Sequence, residues 1–177
     1  MSIHTAKWQM YASNARKKAT EVAHELHAQF EAQGFHGLTD FRLVRFEPID
    51  AAALEAVLNW ESHRFPWEDT ARSKKKHPKA FDLALWFADR LCGLCFAEPN
   101  GTKTLIRIVL LESDPDPLHP LKGAVTTFIL IAINQYAKQC QSTAIEIVEP
   151  LAEVLPHYLS LGFRFLGGKL VLDVDWT

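Results

Sequence analysis

The chain has 177 residues, of which 48% are hydrophobic and 23% charged, with a formal net charge of -2. That balance fits one ordinary domain with a sizeable core, and it supplies no global attraction to nucleic acid or an anionic membrane, so any polyanion contact would need a local patch. The longest apolar run, Phe128 to Ile133, is far too short to span a bilayer, and no basic-then-apolar signal pattern opens the chain. Membrane and nucleic acid therefore rank low as partners, and the expected location is cytoplasmic.

Residues from about Thr5 to Gln33 contain no Pro or Gly and space Trp8, Tyr11, Ala15, Ala19, Val22, Leu26 and Phe30 by threes and fours. This predicts one amphipathic helix, closed by Gly34. Residues 1–38 read as a helical extension packed on the flank of the domain, with a dimerisation arm (a homodimer) as the other reading, and residues 39–177 as the main domain. Phe41 to Phe46 alternates apolar with polar and predicts a first strand. Asp50 offers an N-cap for a helix that carries Leu54, Val57, Leu58 and Trp60 toward a core and stops near Phe65-Pro66. A second helix starts at Trp67, with Glu68 and Asp69 in its first turn and Lys74, Lys75 and Lys76 in its last, as the helix dipole favours. His77-Pro78 ends it.

From Phe81 the period is two. Phe81, Leu83, Leu85 and Phe87 share a strand face, the turn at Ala88 to Arg90 reverses the chain into Leu91 to Ala97, and Asn100-Gly101 leads into Thr104 to Glu112. Three strands in antiparallel meander are expected. After a Lys122-Gly123 turn, the helix from about Ala124 to Gln139 is apolar nearly all round and should be buried. A helix between two strands makes the next strand, Thr143 to Val148, parallel to the one ending at Glu112. Gly162 to Leu166, Gly167-Gly168 and Lys169 to Val174 form a last hairpin. Cys92 and Cys95, three apart on one strand, should point to opposite faces. With Cys140 remote, they read as buried free thiols rather than a zinc site, and His24 and His27 as solvated helix histidines rather than half a site. No metal is expected.

This order of elements, together with the string Tyr158-x-x-x-Gly162-Phe163 after the parallel strand, resembles the GNAT superfamily of acyl-CoA-dependent N-acetyltransferases over about residues 41 to 175. The resemblance implies an α/β (α+β) fold: a mixed, mostly antiparallel sheet with one parallel pair, helices on both faces, and here an extra N-terminal helix. It implies that the fourth and fifth strands splay to admit acetyl-CoA. A bulge within Val109, Leu110 and Leu111 would expose backbone to the thioester and pantetheine, and Lys122, Gly123, Ala124, Val125, Thr126 and Thr127 would cradle the pyrophosphate. Val125 and Thr127 stand where the family commonly has small residues. The loop Ser113 to Pro120 is longer and richer in proline, the Asn often found ahead of the Tyr is missing, and Pro156 takes a first-turn position that shortens the helix.

By the same resemblance, Tyr158 is the candidate general acid for the leaving thiolate, against a packing tyrosine. An alkyl ammonium must lose a proton before it attacks, which makes Glu112 and Glu61 candidate bases, against ordinary solvated carboxylates. Phe65, Trp67 and Glu68, beside Asp69, would line the acceptor cleft, since aromatic faces with carboxylates suit a cationic amine, while Trp60 reads as core. Arg72 to Lys79 reads as a solvated helix end, against a contact with cofactor phosphates or an acidic acceptor. The implied function is transfer of an acetyl group from acetyl-CoA to a primary amine of a small molecule or protein, by direct attack in a ternary complex. The alternatives are an inactive GNAT-like binding or regulatory module, or an acyltransferase using another acyl donor.

Overall fold

The computed structural model describes residues 2–177. Helix α1 (Ile3–Ala32) opens at Ser2, whose side chain accepts the Thr5 N–H, and closes at Gln33 before Gly34 at φ +83. Its buried stripe is Trp8, Ala12, Ala15, Ala19, Ala23 and His27, one step round the helix from the expected one; Tyr11, Val22, Leu26 and Phe30 flank it half-buried. Alanines face the domain because they let the helix lie close to its neighbours. His27 is 6% exposed, which corrects the solvated reading: its ring meets Phe41 and its Nδ1 receives the Phe41 N–H.

The first strand begins later than its alternation predicts. Asp40 accepts the Arg42 N–H and winds Phe41–Leu43 into a 3-10 turn, so β1 is only Val44–Glu47. Asp50 caps α2 (Ala51–Val57) through the Ala53 N–H as expected, yet the helix ends at Val57 and leaves Leu58 73% exposed. Trp60 still reaches the core from the following turn, donating its indole N–H to Leu91 O. Then come α3 (Trp67–Ser73) and a 3-10 turn at Lys74–Lys76.

Strands β2 (Phe81–Phe87), β3 (Arg90–Pro99) and β4 (Leu105–Ser113) form the meander, α4 (Val125–Cys140) crosses to β5 (Ala144–Ile147), and α5 (Leu155–Ser160) leads to β6 (Arg164–Leu166) and β7 (Lys169–Asp173). The sheet order is β1-β2-β3-β4-β5-β7-β6, and only β4 and β5 run parallel. The β6–β7 turn uses Gly167 and Gly168 at φ +57 and +78, a backbone that glycine takes without steric cost. One face of the sheet buries Phe81, Leu83, Leu85, Ile106 and Ile108 in a core shared with α1 and α4; the other packs Trp86, Leu94 and Phe96 against α2, α3 and the turn between them.

A bulge corrects the cysteine expectation. Leu85 pairs with Gly93 and Trp86 with Leu91, so Cys92 is an extra residue; the alternation slips, and Cys92 and Cys95 both enter the core that faces α4. The next residue, Gly93, lies where a Cβ would stand 2.6 Å from Val125 Cγ1 at the start of α4. A side chain there would force Val125 or the start of α4 to shift. Asp82 ties the two faces together: its buried carboxylate takes the Arg16 guanidinium of α1 at 2.8 Å, the Ile49 N–H at 2.8 Å and the Lys74 ammonium.

Candidate active site

Hydrogen bonding between β4 and β5 runs from Leu105 opposite Ala144 to Ile108 opposite Ile147, and its last rung is the Val148 N–H on Ile108 O. Beyond that rung the strands part. β4 goes on to Ser113 alongside β3, whereas β5 ends and the chain turns away through Glu149 at φ +48. A left-handed glutamate costs about 1–2 kcal/mol, so this exit is imposed by its surroundings. On the other side of β4, Phe96 pairs with Leu110 and Ala97 with Ile108. Val109 is thus the bulged residue, inside the expected stretch, and it turns backbone groups out of the ladder where the slot opens. Val109 and Leu110 lie toward α2 and α3, and Leu111 toward α4.

Across the slot, α4 begins without a side-chain cap. The approach is fixed by Arg90, which holds Asp114 at 2.7 and 2.9 Å and Asp116 at 2.7 Å, and by buried His119, whose Nδ1 accepts the Leu121 N–H. Burial pushes the His119 imidazole below its ordinary pKa, which keeps it a neutral acceptor in that turn. Gly123 turns at φ +80. Among the described residues, the N–H groups of Gly123, Val125, Thr126 and Thr127 meet no protein acceptor, while Lys122 and Ala124 donate to His119 O and Leu121 O. Lys122, Gly123 and Thr127 are exposed and the Val125 side chain is buried. Four free amides stand at the positive end of a 16-residue helix, an arrangement that favours an anion.

Tyr158 sits in the first core, 7% exposed, edge-on to Phe163 at 5.7 Å, on α5 with Pro156 in its first turn. Its hydroxyl makes no hydrogen bond among the described residues, and burial, with a smaller effect from Cys95 on β3, pushes the phenol above its ordinary pKa. Glu112, two residues short of Asp114, is held from the α2–α3 connection: Arg64 N–H donates to Oε1, and the Trp67 indole N–H to Oε2 at 2.7 Å.

The remaining sequence candidates divide. Trp67 is 1% exposed, which corrects its reading as a cleft-lining residue: the indole is core, and its polar edge serves Glu112. Phe65 packs edge-on to Trp67 and is half-buried, and Glu68 is exposed and paired with Arg72 at 2.8 Å. Glu61 lines a cleft of about 520 Å³ with Trp60, Asp89, Arg90, Asp114 and Asp116, a lining that includes neither Glu112 nor Tyr158. Sequence reasoning missed Arg90, Glu149 and the donors to Glu112. Only Arg90 had a signal, a lone cation in a turn opposite an aspartate-rich loop.

No protein-family model matches the chain, and no curated protein matches its sequence. Solved structures do. The ribosomal-protein-S18-alanine N-acetyltransferase of Escherichia coli aligns at TM-score 0.54 and 11% identity, over 76% of this chain and 96% of that one. A GNAT-family protein of Desulfovibrio desulfuricans aligns at TM-score 0.54 and 16% identity, over 75% and 99%. A Bacillus subtilis acetyltransferase in complex with CoA aligns at TM-score 0.51 and 20% identity, over 75% and 99%. The meander, the crossover through α4 and the parted parallel pair make this chain a GNAT fold.

Proposed function

We propose that the protein is an N-acetyltransferase that moves an acetyl group from acetyl-CoA to a primary amine by direct attack in a ternary complex. The observation that carries the reading is the slot beyond Ile108 and Val148, which has a bulged backbone on one wall and free amides at its mouth. The CoA in the Bacillus subtilis structure supports the donor, and the alanine acceptor in the Escherichia coli enzyme's name supports an amine.

In this reading the amides of Gly123 and Val125 to Thr127 hold the pyrophosphate, with Lys122 adding charge, and the backbone freed at Val109 and Leu110 orients the thioester carbonyl and stabilises the oxyanion. The acceptor enters on the α2–α3 side. The Glu112 carboxylate, held by its two donors, takes a proton from the ammonium directly or through water. The free amine then bonds to the acyl carbon, and the C–S bond breaks as the nitrogen gives up its second proton to solvent. Tyr158, kept protonated by burial, gives its proton to the departing thiolate. Glu61, in its own cleft, drops behind Glu112 as the base.

Calorimetry with acetyl-CoA and a CoA-release assay over a panel of amines test the reading. Tyr158→Phe should lower kcat by roughly 10²-fold and leave the acetyl-CoA Kd within about threefold. No heat with millimolar acetyl-CoA would sink it. Binding without transfer to any amine, from acetyl or longer acyl donors, would leave a binding module, the reading that the buried Tyr158 ring favours next.

A further inference from the structure

Many surface cations come with carboxylates, among them Lys18 with Glu21, Arg42 with Asp40, Arg45 with Glu47, Arg72 with Glu68 and Arg164 with Asp173, and some, such as Lys17, Arg64 and Lys122, stand unpaired among the described residues. At one pole, apart from these, unpaired lysines gather. Where the start of α1, the segment after α3 and the β3–β4 turn meet, the Lys79 and Lys103 ammonium groups lie 5.8 and 5.6 Å from the same Trp8 ring, and Lys7 lies 5.3 Å from Tyr11. Lys75 and Lys76 stand exposed four and three residues ahead of Lys79. Among the described residues, none of these five lysines pairs with a carboxylate. Lys74 alone in that run is spent on Asp82.

The backbone that presents the pole is fixed. The Tyr136 hydroxyl donates to Lys79 O and the Ser142 hydroxyl to Lys103 O, each at 2.7 Å. Lys103 itself sits at φ +60, a left-handed conformation that Gly or Asn takes easily and a lysine does not. A lysine held in a left-handed turn, where Gly or Asn would be cheaper, keeps a cation at this pole at some cost to the free protein. The Trp8 face offsets part of the repulsion and leaves the charge uncompensated.

We propose that this pole binds the phosphate backbone of a nucleic acid. Five lysines carried by three segments supply several separate positive charges, enough to neutralise a run of phosphates and release their counterions. A net charge of -2 made a local patch the only route to a polyanion, and this is that patch. It lies at the Leu105 end of β4, away from the slot beyond Ile108, so it stands independently of the acyl-transfer reading.

The test is fluorescence anisotropy with labelled single-stranded RNA and duplex DNA at about 50 and 200 mM salt, where affinity should fall with salt in proportion to the phosphates engaged. K7A/K79A/K103A should weaken binding at least roughly tenfold and flatten the salt dependence. The triple arginine variant should keep binding, and so should the control Lys17→Ala on the same helix. Lys103→Gly should bind less tightly while melting no lower than the parent. Absence of binding at 50 mM salt, equal loss in the alanine and arginine triples, or a preference for anionic vesicles over both nucleic acids would overturn the proposal.

Discussion

Burial pushes the thiols of Cys92 and Cys140 up to about 11, and that of Cys95 further still. Thiolate is the reactive form, so a disulfide reagent at pH 8 should label the native protein slowly and all three cysteines once it is denatured; fast labelling of one thiol would contradict the burial. The same desolvation at Tyr158 carries a sign that can be checked. A raised phenol pKa means that the donor keeps its proton throughout the working range, so any high-pH loss of kcat caused by this group falls above the ordinary value of about 10. That limb should disappear in Tyr158→Phe. Glu112→Gln should lose roughly 10²-fold in kcat/KM at pH 7 and recover as rising pH supplies free amine. Tyr158 and Glu112 could be singled out as candidates because one opens a recognisable string and the other closes a predicted strand. Asp82 and Glu149 were not: an ion pair to a residue 66 positions away and a left-handed backbone leave no local trace.

Elements that own their ends were readable from sequence. Asp50 before α2, Gly34 after α1 and the Gly167-Gly168 turn each decide a boundary with a side chain or its absence. The bulges at Cys92 and Val109 were readable only by resemblance or not at all, because a bulge is a mismatch of register between two strands and neither strand encodes it alone. The first of them also sets the seat of α4. Gly93→Ala puts a methyl group 2.6 Å from Val125 Cγ1, so it should cost about 1–3 kcal/mol in denaturant unfolding. It should also weaken acetyl-CoA binding, since the helix that must move carries the amide cradle; unchanged affinity with lowered stability would separate α4's seating from the site.

On the scale of the molecule, α1 looks from sequence like an addition to a familiar domain, and the solved structures aligned above cover only about three quarters of this chain. Its side chains nonetheless enter the principal core beside those of α4 and β2. No helix among the described residues is long and apolar enough to cross a membrane, α1 included. Arg16→Ala removes one of the two cations on the buried Asp82 and leaves Lys74 and the Ile49 N–H in place, so in denaturant unfolding it should cost less than the about 3–5 kcal/mol of a fully orphaned buried charge.

That knot has a consequence for how the chain comes apart. Asp82 belongs to β2, Arg16 to α1, Ile49 to the entry of α2 and Lys74 to the exit of α3, so four segments far apart in sequence share one anchor. None can let go while the others hold. Calorimetry should therefore record one endotherm for the 177-residue chain, with van't Hoff and calorimetric enthalpies equal. A fragment beginning at residue 39 should give no sharp melt, because removing α1 takes out a supporting wall rather than an ornament.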